Sequence, residues 1–232
     1  DKIATRVAYG TALAEIGQNE SIVVLDADLS KSTRTDLFQK KYPDRHLNMG
    51  IAEGNMMAVA AGLAAAGKTV FASTFAIFAS GRAYDQIRNS ICYPKLNVKI
   101  GATHAGITVG EDGASHQAIE DIALMRAIPN MTVISPADGT STNALVKMAA
   151  EINGPVYLRL GRLDVSVIYP EGTAFEIGKG VQVKDGSDVT LIATGMMVEQ
   201  ALIAAENLKA EGISARVIDI HTIKPIDKDI II

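Results

Sequence analysis

The sequence predicts an α/β fold, in which a doubly wound, mainly parallel sheet is followed by a partial second α/β domain. Short apolar runs rich in valine and isoleucine recur along the chain, and longer segments with helical periodicity separate them. The 232 residues are 48% hydrophobic and 21% charged, with a mean hydropathy of +0.18. This composition is typical of a globular chain with a substantial core and argues against disorder.

The first domain, residues 1–165, contains five predicted strands and five predicted helices. The strands occupy residues 22–25, 69–73, 98–102, 132–135 and 156–160. The helices occupy residues 5–16, 52–66, 81–91, 115–127 and 141–152. Because strands and helices alternate, we expect the strands to run parallel, with helices on both faces of the sheet.

Helical periodicity is lost after residue 163, where prolines and glycines become frequent, and we place a linker with a possible hairpin at residues 166–187. The pattern then restarts with a strand at 188–194, a helix at 197–211 and a parallel strand at 215–219. A single β-α-β unit has too few strands for a free-standing domain. Residues 188–232 therefore predict a truncated second domain.

Net charge and composition argue against several classes of binding partner. The net charge of −4 and the pI of 5.6 provide no basic surface, so no nucleic-acid partner is expected. The first ten residues lack the apolar core of a signal peptide, and the most apolar stretch, 56–66, is too short to span a bilayer. Cys92 is the single cysteine, which excludes an internal disulfide framework. We expect a cytoplasmic protein with no membrane partner.

Glu53 stands in the first turn of the apolar helix at 52–66. A carboxylate at this position complements the helix dipole, or else it is a poorly solvated acid able to share a proton with a heterocyclic nitrogen. Downstream, Phe75 and Phe78 follow a strand three residues apart. Core packing is the common fate of such a pair, but both rings could also face one cleft at the carboxyl end of the strand.

A glycine-rich loop carries His104, Asp112 and His116 from a predicted strand to a helix that Ser115 is expected to cap. Loops at this edge of a doubly wound sheet face ligand. The histidine spacing supports no metal site, because there is no i, i+4 pair and no cysteine partner. Neither a G-x-G-x-x-G motif nor a P-loop is present, which argues against nicotinamide and nucleoside triphosphate sites.

Several segments together resemble the pyrimidine-binding domain of transketolase, within the thiamine diphosphate-binding fold. The resemblance runs in order over about the first 165 residues, and the restart after residue 187 is similar to the beginning of the transketolase C-terminal domain. The GEDG-x-x-HQ loop and the glutamate-bearing apolar helix are its specific parts. The segments are ATR at 4–6, LDADLSKST at 25–33, NMGIAEGNM at 48–56, TFAIF at 74–78, GEDGASHQ at 110–117 and LRLGR at 158–162.

The resemblance implies the C-terminal subunit of a split transketolase. Such an enzyme transfers a two-carbon ketol unit from a ketose phosphate to an aldose phosphate with thiamine diphosphate. An N-terminal partner subunit would bind the diphosphate and its Mg²⁺ or Ca²⁺, so this chain has no metal site of its own and is expected to be inactive alone. The segment from Glu111 to Gly113 with Asn130 does not match the GDG…N metal signature, because its gap is too short. Two copies of this chain would pair within a heterotetramer.

By resemblance, Glu53 hydrogen-bonds N1′ of the aminopyrimidine and thereby acts in catalysis. Phe78 stacks on the pyrimidine ring with Phe75 beside it, and Asp28 and Leu29 lie close to the coenzyme.

The resemblance also places the substrate. The guanidinium groups that it assigns to the sugar phosphate are a favourable match for phosphate oxygens, although most arginines are ordinary surface charges. His116 lies near the C1 hydroxyl of the donor, which makes it the second catalytic candidate. The implied substrate-binding residues are Arg6, Ser32, His104, Asp112, His116 and Arg162.

One position departs from the family pattern, and three other functions remain open. Gly81 stands where long transketolases carry a tyrosine against the pyrimidine. The β subunit of 2-oxo acid dehydrogenase E1 and part of deoxyxylulose phosphate synthase share this domain order. Arg162 and the GEDGASHQ loop favour transketolase over both. A non-catalytic scaffold subunit is the alternative of another class, and intact Glu53, Phe78 and His116 argue against it.

Overall fold

Seven strands form the central sheet of the computed structural model, which describes residues 2–232. The described residues form twelve strands in all, which are β1 (Lys2–Ala4), β2 (Ile22–Asp26), β3 (His46–Asn48), β4 (Thr69–Phe75), β5 (Val98–Thr103), β6 (Thr132–Ile134), β7 (Val156–Arg159), β8 (Asp164–Ser166), β9 (Val181–Lys184), β10 (Val189–Ala193), β11 (Ala215–Asp219) and β12 (Thr222–Lys224). The order in the central sheet is β12-β6-β7-β5-β4-β2-β3. All neighbours in it pair in parallel except β12 and β6.

Helices cover both faces of this sheet. They are α1 (Thr5–Ile16), α2 (Ser30–Thr33), α3 (Asp36–Lys41), α4 (Glu53–Ala65), α5 (Asp121–Ala127), α6 (Gly139–Glu151), α7 (Met197–Ala210) and α8 (Lys228–Ile231). Alternate residues of β2 point to opposite faces: Ile22 and Val24 pack with α1 and α6, whereas Val23 and Leu25 pack with α4. The predicted doubly wound α/β fold is therefore confirmed.

Two predicted helices take a different form. The helix predicted at 81–91 is wound as two π-helical stretches, Phe78–Arg82 and Gln86–Cys92. The helix predicted at 115–127 is wrong in its first half, because Ala114–His116 is a 3₁₀ turn and α5 begins only at Asp121. Ser115 therefore caps no helix. Ala118 forms an antiparallel bridge with Gly106, and this bridge fixes Ala118 outside any helix.

The segment predicted as linker contains more structure than expected. β8 pairs antiparallel with β1, and β9 joins β11 and β10 in a second, three-stranded sheet. The second unit is thus more than a single β-α-β motif. Its last strand, β12, returns to the central sheet and lies antiparallel to β6.

The described part of the chain has no helix with the length and apolar character that a bilayer crossing requires.

Candidate functional site

Four aromatic side chains gather where β4 and β5 end. The ring of Phe75 stacks on His104 at 3.8 Å between centroids and on Phe78 at 5.6 Å. His116 meets Phe78 edge-on at 5.3 Å and Phe75 at 6.1 Å. Because β4 and β5 are parallel neighbours, their carboxyl ends bring these residues to one edge of the sheet. The structure therefore joins the two phenylalanines and two histidines that the sequence singled out.

Glu53 opens α4 beside this cluster and is only 4% exposed. Arg82 donates a hydrogen bond from Nη1 to Oε1 of Glu53 over 3.1 Å. The same guanidinium lies over Phe78, with Cζ 4.0 Å from the ring centroid. The contact between Arg82 and Phe78 connects the dry carboxylate to the aromatic cluster.

Arg82 was missed by the sequence analysis, and the π-helical turn explains its position. The turn Phe78–Arg82 winds Arg82 back over Phe78, and π-helical turns inside helices frequently mark functional sites. Gly81 is exposed, and a Cβ built on it would meet no atom within 4 Å. The place of the expected aromatic wall is therefore open space, and a cation covers the ring instead.

His104 is buried at the end of β5 with a left-handed backbone, φ 57°. Its Nδ1 hydrogen-bonds Thr103 Oγ1 at 3.0 Å. Burial, aided by the positive charges of Arg6 and Arg162, lowers the pKa of His104 to about 4. The imidazole is therefore neutral at pH 7 and can both donate and accept a hydrogen bond.

Pairing of β1 with β8 brings the two arginines implicated in phosphate binding together, although they are 156 residues apart in sequence. Arg6 donates from Nε to the Arg162 carbonyl at 3.3 Å and from Nη1 to the Ser32 carbonyl at 2.8 Å. Thr5 reinforces the junction, because its hydroxyl accepts from the Gly161 amide at 2.8 Å. Ser32 enters this contact through its backbone rather than its hydroxyl.

Arg34 adds a third guanidinium that the sequence analysis did not single out. Its Cβ and carbonyl lie against Gly10, one helical turn after Arg6 on α1, where a Cβ would come within 2.3 Å of the Arg34 carbonyl. Its Nε is buried and has no hydrogen-bond partner among the described residues. Burial lowers the pKa of Arg6, and the charges of Arg34 and Arg162 add to this effect. A cluster of guanidinium groups with one hydrogen-bond donor unused favours the binding of an anion.

Glu111 makes an ion pair with Arg162, between Oε1 and Nη2 at 2.6 Å, and Arg162 also contacts the Val109 carbonyl. Glu111 is exposed, and hydrogen bonding to Arg162 lowers the pKa of its carboxyl. Asp112 is exposed next to it, and its charge acts on His104. This loop thus reaches the arginine cluster through Glu111 and the aromatic cluster through His116.

Asp28 and Leu29 lie in the turn after β2, at the same edge of the sheet. Asp28 is exposed with a left-handed backbone, φ 64°, and accepts from Asn48 Nδ2 at 2.9 Å. Leu29 is half-buried, and its amide donates to the buried carboxylate of Asp26. Asp26 also accepts from Thr33 at 2.6 Å, so this carboxylate fixes the shape of the turn.

The loop that carries His116 is anchored by a buried ion pair. Asp121, at the start of α5, accepts from Arg159 Nε at 2.8 Å and from the Tyr157 hydroxyl at 2.9 Å. Both partners lie on β7. This pair holds the far end of the loop against the central sheet.

The residues present fit the aminopyrimidine half of thiamine diphosphate. A buried carboxylate suits a ring nitrogen, and a phenylalanine face suits a planar heterocycle. Among residues 2–232, no group of three or more His, Cys, Asp or Glu side chains is arranged to hold a metal ion. The described side chains therefore suit contact with the aminopyrimidine ring, and no group among them is arranged to bind a metal ion.

Comparison with known proteins assigns the family. Residues 1–167 match the family model described as the transketolase pyrimidine binding domain, and residues 178–232 match the transketolase C-terminal domain. The chain belongs to the transketolase family. The resemblance seen in the sequence is thereby confirmed, and transketolases depend on thiamine diphosphate.

Three relatives show how much of a transketolase this chain represents. A protein from Methanocaldococcus jannaschii, described as a transketolase C-terminal section, is 58% identical over 97% of this chain and 72% of its own length. A structure described as a split gene transketolase, inactive β4 tetramer, is 61% identical with a TM-score of 0.92, over 99% of this chain and 75% of that chain. Transketolase from Pichia stipitis in complex with sedoheptulose 7-phosphate is 31% identical with a TM-score of 0.88, over 99% of this chain and 36% of that chain. The chain thus spans about three quarters of the shorter transketolases and about a third of the long one.

Proposed function

We propose that this chain is the C-terminal component of a two-chain transketolase that transfers a two-carbon ketol unit from a ketose phosphate to an aldose phosphate. The observation that carries the proposal is the 4% exposed carboxylate of Glu53, which Arg82 connects to the Phe78 ring by contacting both. Burying a carboxylate is costly, and a buried carboxylate close to aromatic rings is a candidate functional group.

In this proposal Glu53 and Phe78 bind the aminopyrimidine, with Phe75 behind Phe78 and with Asp28 and Leu29 at the adjoining turn. Bound thiamine diphosphate supplies the carbanion chemistry that ketol transfer needs. Glu53 holds a proton at the pyrimidine N1′, and the stacked rings exclude water from that contact. Phe75 also positions His104 by stacking on it.

The substrate side is proposed to be the cluster of arginines. Arg6 and Arg162 bind the sugar phosphate, and Arg34 joins them as the free guanidinium of the cluster. The Ser32 carbonyl holds Arg6 in place, and Glu111 releases Arg162 when phosphate arrives.

Hydroxyl recognition is assigned to the loop that ends at Asp121. His104 is neutral and can orient a sugar hydroxyl in either hydrogen-bonding sense. Asp112 accepts from a second hydroxyl in the outer channel. His116, edge-on to both phenylalanine rings, lies closest to the coenzyme ring and serves the C1 hydroxyl of the donor.

An N-terminal transketolase subunit is the proposed partner and would hold the diphosphate with Mg²⁺ or Ca²⁺. Support comes from the similarity to one relative described as a transketolase C-terminal section and to another described as a split gene transketolase. The related split gene structure is described as a β4 tetramer, which supports pairing of two copies of this chain within a heterotetramer.

Reconstitution tests this function. The purified chain is mixed with the N-terminal transketolase subunit of the same organism, thiamine diphosphate and Mg²⁺, and ketol transfer to ribose 5-phosphate is measured. We expect turnover in the mixture, none with either chain alone and none with pyruvate as donor. Turnover of pyruvate would indicate a 2-oxo acid dehydrogenase or deoxyxylulose phosphate synthase activity instead. A stable complex with no turnover and no thermal shift on adding thiamine diphosphate would indicate a scaffold.

A further inference from the structure

The guanidinium of Arg82 makes both of the contacts that the proposed function assigns to the aminopyrimidine ring. It donates to Oε1 of Glu53 at 3.1 Å, and its Cζ lies 4.0 Å from the centroid of the Phe78 ring. A guanidinium is planar and stacks on aromatic faces, as a pyrimidine does. Arg82 is therefore a flat group that makes the same two contacts proposed for the ring, one with Glu53 and one with Phe78.

The guanidinium and the aminopyrimidine compete for Phe78, because its other neighbours already crowd the ring. Phe75 stacks on it with 15° between the ring planes and 5.6 Å between centroids, and His116 meets it edge-on. Arg82 lies over the ring as well. The carboxylate has a single proposed contact for both, because Arg82 already donates to Oε1 of Glu53, the side chain that N1′ is proposed to contact.

Arg82 can leave at low cost. Its side chain is 53% exposed, in contrast to the 4% exposed side chain of Glu53. Water solvates the freed cation, and the ring nitrogen would replace it as the partner of the buried carboxylate. Gly81 beside it has no side chain, and the space that a Cβ there would occupy is open.

We propose that Arg82 is an internal competitor for the aminopyrimidine: it closes the ring pocket of this chain, and thiamine diphosphate must displace it to bind. This inference rests on the proposed function, because it assumes that Glu53 and Phe78 hold the ring. The measured affinity is then lowered in proportion to the fraction of molecules in which Arg82 is in place. Removing the guanidinium should tighten binding.

The test is calorimetric titration of thiamine diphosphate into the chain complexed with its N-terminal transketolase subunit, using wild type, Arg82→Met and Arg88→Met. Methionine keeps an unbranched apolar stem and removes the guanidinium that bonds Glu53 and lies over Phe78. Arg88 is a matched control, because it is exposed, lies on the second π-helical stretch and bonds only its neighbour Asn89. We expect the Kd to fall roughly three- to tenfold for Arg82→Met and to stay at the wild-type value for Arg88→Met.

A second comparison separates competition from general loosening of the pocket. In a Glu53→Gln background the ionic contact to Arg82 is gone, so adding Arg82→Met should tighten binding by clearly less than it does in wild type. Equal or weaker binding by Arg82→Met than by wild type, with normal thermal unfolding, would overturn the inference and leave the proposed function standing. Absence of binding by every form, including wild type, would overturn the proposed function and this inference with it.

Discussion

Three residues at the proposed site have left-handed backbones although none is glycine. They are Asp28, Arg34 and His104, with φ of 64°, 68° and 57°. Such a conformation costs about 1–3 kcal/mol where the side chain is bulky, and it persists where the surrounding structure enforces it. Gly10 provides the space in which the Arg34 backbone approaches α1. The proposed site therefore depends partly on left-handed backbone conformations that no sequence motif predicts.

Arg34 gives a prediction at the residue scale. In the reconstituted complex, Arg34→Gln should raise the KM for phosphorylated sugars by about tenfold, the usual effect of losing a charge-assisted hydrogen bond, with little change in kcat. Steady-state kinetics with a ketose phosphate and with its unphosphorylated analogue check this, and exposed Lys31→Gln is the control. An equal rise in KM for both sugars would show that Arg34 does not act on the phosphate.

Single residues also show what the sequence could predict. The resemblance selected Glu53, Phe75, Phe78 and His116, and the structure brings these side chains together, while their roles remain predictions. Arg82 was missed because its contacts with Glu53 and Phe78 depend on the pitch of a helix, which spacing does not reveal.

Among the elements, the buried parallel strands were the most predictable. Five strands were placed within one or two residues, because each is a short run of apolar residues buried on both faces. Short strands such as β1, β3 and β8 were missed, because three residues carry too little pattern. The helix predicted from residue 115 begins only at Asp121, because a bridge between Gly106 and Ala118 takes Ala118 out of any helix.

Lys99 supports a prediction at the scale of elements. It lies fully buried in β5 and donates to the carbonyls of Ile152 and Gly154, both at 2.6 Å, between α6 and β7. Burial lowers the pKa of Lys99 to about 7. Between pH 7 and about 10 the unfolded chain therefore binds more protons than the folded one, and stability due to this group rises with pH.

Urea unfolding of wild type and Lys99→Met between pH 7 and 10 measures how the stability due to Lys99 depends on pH. The free energy of unfolding of wild type should rise relative to the variant, by at most about 1.4 kcal/mol per pH unit. The comparison with the variant cancels other groups that titrate in this range, such as the Cys92 thiol, whose pKa burial raises to about 12. Parallel curves for the two proteins would show that Lys99 is charged at every pH in the folded state.

At the scale of the whole molecule, the second unit is fastened to the first. β12 pairs with β6, and Lys224 donates to the carbonyls of Arg126 and Ile128 at the end of α5, at 2.9 and 2.6 Å. Asp138 caps α6 and accepts from the amides of Ile168 and Tyr169. The sequence predicted two units in series but not the contacts between them. Local sequence patterns do not reveal antiparallel pairing between strands that are 88 residues apart.

The proposed function makes Glu53 the group on which ketol transfer depends. The most direct measurement is turnover of the reconstituted two-chain complex with wild type and Glu53→Gln, with partner association and thermal unfolding measured in parallel. Glutamine keeps the shape of the side chain but cannot exchange a proton with N1′. We expect turnover to fall at least about 100-fold while the complex still forms. Near-normal turnover by Glu53→Gln would contradict the proposed function.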